Sequence, residues 1–155
     1  MSKTALYIGL EFLFWVVTAI ITAAVIYPII DLAPDYRFLI PNIIFIVVFI
    51  TCTRYIFLLQ YTWLAKLQVV KTAFIFAGIY GLFLLVEQIN KFQTFMDEEG
   101  PEALISNLPV TETIGIVGYI RSEMLFFGVG SVIALLVFMG RMLQSIWNYK
   151  NRGIA

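Results

Sequence analysis

From Met124 to Gly140 the chain carries no charged residue, yet Arg121 and Glu123 stand just ahead of that run within GIVGYIRSEMLFFGVGSVIALLVFMGR. A run of this length and character is what a bilayer selects for, since about 20 apolar residues in a helix cross roughly 30 Å of hydrocarbon. Charges placed beside it are costly in lipid and usually face protein, so the run implies neighbouring helices that meet it.

The chain supplies three more such runs, giving expected spans at about residues 5–30, 38–59, 69–89 and 115–141. With 61% hydrophobic and only 13% charged residues, 155 residues fall outside soluble domains, which carry about a quarter charged residues. The first run exceeds the core of a secretory signal and is expected to stay as a span. Three prolines in fourteen residues, Pro28, Pro34 and Pro41, predict a break in the helix around the link between the first two runs, with span one closing at Tyr27 and Pro28. Gln60, Lys66, Gln68 and Lys71, near Tyr55, Tyr61 and Trp63, have the mixture of an interfacial turn.

Residues 90–113 form the one long polar stretch, with Asp97, Glu98, Glu99, Glu102 and Glu112 against Lys91. It is expected as an acidic extracytoplasmic loop, in which Gly100-Pro101 marks a turn and Pro101 starts a short helix towards Asn107. Residues 142–155 read as a cytoplasmic tail whose first part continues as a helix along the interface. The expected fold is therefore an all-α integral membrane protein, a single domain of four transmembrane helices in an antiparallel bundle.

Basic residues set the orientation. Lys3, Lys66, Lys71, Arg141, Lys150 and Arg152 fall on one side and Arg37 and Lys91 on the other. The positive-inside rule then places both termini in the cytoplasm, and the expected location is the inner (plasma) membrane of a bacterium.

That orientation sorts the buried charges into two levels. Glu11 lies roughly 9 Å from the cytoplasmic start of span one and Arg54 roughly 8 Å from the cytoplasmic end of span two. Near the outer face Glu87 closes span three while Arg121 and Glu123 open span four. The expected pairs are Glu11 with Arg54 and Glu87 with Arg121, each partner offsetting part of the cost of a lone charge. Arg121 and Glu123, two apart on a helix, point to different faces, so one of them addresses a third helix, another subunit or water. Pairing or snorkelling is the ordinary fate of such groups; a subunit contact and ion or proton handling are the other two.

A carboxylate in the first span of a four-span chain is similar to the arrangement in small multidrug exporters. The chain is longer than those exporters, carries the acidic loop and lacks their aromatic and glycine signatures, so membership does not follow.

Small residues at fourth-residue spacing, Ala77 with Gly81, Gly118 with Ser122, Gly130 with Ala134 and Thr18 with Thr22, allow close helix approach. Ordinary packing inside the bundle is their first reading, and an oligomer contact their second.

Catalytic patterns are missing from the sequence. There is no histidine, no phosphate-cradling glycine loop, no zinc-protease or serine-hydrolase motif, and only one cysteine, Cys52, which reads as a small buried hydrophobe. The Asp97-Glu98-Glu99 run reads as a solvated stretch of like charges, and its spacing is not that of a calcium loop. No cofactor or metal is expected. Ten basic residues balance ten acidic ones, so nucleic acid is not an expected partner. The expected function is a non-enzymatic membrane subunit that anchors or stabilises a larger complex, with the lipid bilayer and other membrane subunits or copies of itself as partners. The alternative is a small homo-oligomeric transporter or channel, proton- or ion-coupled through an intramembrane carboxylate such as Glu11 or Glu123.

Overall fold

The computed structural model describes residues 3–62, 64, 67–104 and 110–152. Four helices account for most of them: α1 (Lys3–Leu32), α2 (Leu39–Leu58), α3 (Gln68–Glu98) and α4 (Val110–Arg152). Each contains a segment long and apolar enough to cross a membrane, at Tyr7–Leu32, Leu39–Leu58, Gln68–Glu98 and Ile114–Asn151. Apolar side chains lie all around these helices, the pattern of a helix whose surroundings are apolar on every side.

α4 is the spine. It packs along both α2 and α3, while α1 rests mainly on α2 and touches α4 more lightly. Phe45 and Ile46 of α2, Phe92 of α3, and Ile120, Met124 and Met142 of α4 are almost wholly buried along these contacts. With apolar solvent outside, shape fit and dispersion rather than expulsion of water hold such surfaces together. Glycines set the closest approaches. A Cβ on Gly78 would stand 2.7 Å from Met139 Sδ, one on Gly130 3.0 Å from the Phe49 ring, and one on Gly128 3.1 Å from Ile89. Of the glycines in the expected small-residue pairs, Gly81 has Leu135 at 3.5 Å from its would-be Cβ, whereas Gly118 has nothing within 4 Å. Thr18 and Thr22 turn their hydroxyls onto their own helix, donating to Phe14 O and Thr18 O at 2.8 Å each.

The helices differ from the expected spans at their ends. α1 runs through Pro28 to Leu32 rather than closing at Tyr27 and Pro28. A proline inside a helix removes one backbone hydrogen bond, a loss that apolar helices tolerate when local adjustments satisfy the freed carbonyl. Pro41 sits in the first turn of α2, where its missing N–H is one that the helix leaves unpaired in any case. Only Pro34 stands between the two helices. The link is itself ordered: Tyr36 N donates to Ala33 O at 3.1 Å, and the Phe38 ring lies edge-on to Phe92 and Phe95 at 5.4 and 5.2 Å. That clasp ties the link between α1 and α2 to α3.

α3 continues to Glu98, so residues 90–98 of the expected loop are helical. The i,i+4 ion pair of Glu87 with Lys91 lies on this extension and favours it. Gly100, at φ +80°, ends the helix in the left-handed conformation that a side chain would resist, and a short 3-10 turn, Pro101–Leu104, follows. The expected continuation of that turn to Asn107 lies outside the described residues, as does Lys66 of the interfacial turn. At 43 residues α4 is about 65 Å long, and the segment expected as a tail belongs to the same unbroken helix through Arg152.

Candidate functional site: buried polar groups between helices

Side chains that lipid would penalise are buried at three places between helices. The first joins α1 to α2. Glu11 and Arg54 come together with Arg54 Nη2 donating to Glu11 Oε2 at 2.6 Å, and their side chains are 16% and 7% exposed. The guanidinium also lies over two rings, Tyr55 at 4.3 Å and Phe14 at 5.1 Å. Its Nε is buried and has no hydrogen-bond partner among the described residues. Charge, ring faces and burial together hold Arg54 in one place.

The second joins α2 to α4. Asn42 Nδ2 donates to Glu123 Oε2 at 2.6 Å, with Asn42 wholly buried and Glu123 buried. Three oxygens at this level are buried and lack a hydrogen-bond partner among the described residues: Asn42 Oδ1, Glu123 Oε1 and the Tyr36 hydroxyl. Tyr36 lies in the link between α1 and α2, and burial pushes its phenol above the usual tyrosine range, with Glu123 in electrostatic reach. Tyr119 is also within reach of Glu123, and its hydroxyl donates to Val25 O of α1 at 2.8 Å.

The third joins α3 to α4. Lys71 is wholly buried, and its Nζ donates to Ser145 Oγ at 2.8 Å and to Gln68 Oε1 at 3.3 Å. Between α2 and α3, over α4, an apolar cleft of about 410 Å³ is lined by Val48, Cys52, Phe74, Gly81 and Phe138, with Trp15 of α1 at its edge.

The chain matches no family model, no curated protein and no solved structure.

The expected pair of Glu87 with Arg121 is not formed. Glu87 bonds Lys91 on its own helix at 2.7 Å, both side chains being more than half exposed, and Arg121 is exposed. Height along the helix axis is what suggests the pair, and it says nothing of the face each residue occupies. Glu123, unassigned to a partner from the sequence, is buried where Arg121 is exposed. Arg37, in the first link, stands 3.6 Å from Glu99 with both side chains exposed, and its guanidinium lies 5.3 Å from the Phe95 ring.

Asn42 and Lys71 were not singled out by sequence reasoning. An uncharged amide after Pro41 is a weak signal, although the eight residues that follow it, Ile43 to Ile50, are all aliphatic or aromatic. Lys71 stood among the polar residues of an expected turn, where an exposed lysine is ordinary. The burial of its amine comes from its position within the first turn of α3 and against Ser145 of α4.

Proposed function

We propose that the chain is a non-enzymatic polytopic membrane subunit that anchors or stabilises a larger membrane complex. In this reading the four helices form an antiparallel bundle in the inner membrane of a bacterium, with both termini cytoplasmic and the acidic segment between α3 and α4 outside. The observation that carries it is how the chain uses its buried polar groups. Glu11 with Arg54, Asn42 with Glu123, and Lys71 with Ser145 each fasten one helix of the chain to another. The outward faces of α1 and α3 are left with large apolar side chains, among them Phe12, Trp15, Phe76 and Phe83, each more than half exposed. Faces of this kind suit contact with lipid and with apolar helices of other subunits.

The orientation draws support from the surface charges. Arg37 and Lys91, the two basic residues assigned to the outer side, each stand beside an exposed acid, Glu99 and Glu87. Of the residues on the cytoplasmic side of the count, Lys71 is buried, Arg141 bonds Gln144 Oε1 at 2.7 Å, and Lys66 and the side chains of Lys3 and Arg152 lie outside the described residues.

Extraction in a mild detergent followed by sizing and mass analysis tests the proposal. A stoichiometric assembly containing other polypeptides is expected. A stable monomer without partners would count against the anchoring role. The second reading, a small homo-oligomeric transporter or channel, draws on the Oε1 of Glu123, which has no hydrogen-bond partner among the described residues.

A further inference from the structure

Two planar groups of matching shape meet between α2 and α4: the amide of Asn42 and the carboxyl of Glu123. One edge of the meeting is complete, with Asn42 Nδ2 donating to Glu123 Oε2 at 2.6 Å. The other oxygen of each group, Asn42 Oδ1 and Glu123 Oε1, is buried and has no hydrogen-bond partner among the described residues. While the carboxyl is ionised both oxygens are acceptors, and neither can satisfy the other. One hydrogen on Oε1 changes this, because a carboxylic acid and a primary amide present complementary donor and acceptor edges.

Among the described residues the surroundings supply no other remedy. Glu123 faces Asn42 from α2 and lies in electrostatic reach of Tyr36 from the first link and Tyr119 from its own helix, all of them uncharged. Arg121, two residues away, is exposed while Glu123 is 7% exposed. A buried carboxylate without a cationic partner is costly, and taking up a proton removes the charge. The carboxylate also stands on the most buried of the four candidate spans, α4, against the wholly buried Asn42.

We infer that this pocket is a binding site for a proton: Glu123 is held as the neutral acid, its Oε1–H donating to Asn42 Oδ1 while Asn42 Nδ2 donates to Glu123 Oε2. One proton is taken from water per chain, an O–H bond forms on the carboxyl, and no bond of the chain breaks. The pair then closes on both edges and fastens α2 to α4 without net charge. The Tyr36 hydroxyl, buried and without a hydrogen-bond partner among the described residues, does not donate to Glu123. The inference holds for an anchoring subunit and for a transporter alike.

Infrared difference spectroscopy tests it on the full chain in lipid vesicles near neutral pH, comparing wild type with Glu123→Gln in a choline buffer. Glutamine keeps the shape of the acid and can form the same two bonds to Asn42. The expected result is loss of one carboxylic-acid C=O band on substitution, a band that shifts in D2O and does not change when sodium or potassium replaces choline. Asn42→Leu supplies a second arm, in which the acid band is expected to move to higher frequency because its C=O has lost the amide donor. Ionised-carboxylate bands in place of the acid band would overturn the proposal. So would an acid band that disappears in sodium or potassium, which would make the pocket a site for a metal cation, or an acid band unmoved in Asn42→Leu.

Discussion

Glu11→Leu is expected to destabilise the protein by about 3–5 kcal/mol, the range for breaking a buried ion pair by removing one partner. Arg54→Leu is expected to cost less. The difference lies in which group is left behind. A guanidinium stays charged at any ordinary pH, so Arg54 without Glu11 remains a buried cation between the rings of Phe14 and Tyr55. Glu11 without Arg54 can take up a proton and become neutral, which removes most of the penalty. Glu11→Leu with Arg54→Leu together is expected to restore much of the loss, because two apolar side chains suit the apolar contact between α1 and α2. Unfolding of the purified chain by denaturing detergent, followed by helix content, measures all three. Equal losses from the two single substitutions would show that the pair is not buried as described.

The second large effect is expected at Gly128, where three helices meet. A Cβ there would lie 3.1 Å from Ile89 Cγ1 of α3 and 3.5 Å from Phe45 Cε2 of α2. Leucine adds three further carbons, and Phe45 is 1% exposed and has nowhere to retreat. Gly128→Leu is therefore expected to separate α4 from one of its two partners and to cost about 1–3 kcal/mol, the usual range for overpacking a filled core. Gly118→Leu is the matched control on the same helix, since nothing lies within 4 Å of its would-be Cβ. The same unfolding assay should give a clear loss at Gly128 and little change at Gly118. A reversed order would mean that α4 presents a different face to α2 and α3.

Hydropathy is a local property, and for that reason the four apolar runs and their approximate limits could be taken from the sequence. Distance along a helix axis is nearly as local, and it brought Glu11 and Arg54 to one level, where they stand 2.6 Å apart. Rotation about the axis is not local. It depends on which helices are neighbours, and Glu87 and Arg121 show the consequence: expected at one level, Glu87 instead pairs with Lys91 on its own helix and Arg121 is exposed. The same blindness applies to the small residues. Fourth-residue spacing selected Gly130, whose would-be Cβ lies 3.0 Å from the Phe49 ring, but also Gly118, which has nothing within 4 Å, and passed over Gly78, whose would-be Cβ lies 2.7 Å from Met139 Sδ.

Helix ends were misplaced for a related reason. Charge and polarity mark where a chain leaves an apolar layer, not where its helix stops, so α3 and α4 continue past the expected spans, to Glu98 and Arg152. The stop at Gly100 was legible because backbone geometry is written in the residue itself. Asn42 escaped notice because an amide carries no charge; its role comes from Glu123, 81 residues further along the chain.

Whether the exposed apolar faces meet protein is the point on which the anchoring role turns. A photoreactive side chain placed at Phe12 of α1 and, separately, at Phe83 of α3, both 71% exposed, can be activated in the source membrane before any detergent is added. Discrete adducts with one or a few polypeptides at either position are the expected result. Adducts with lipid alone at both positions would contradict the proposed role.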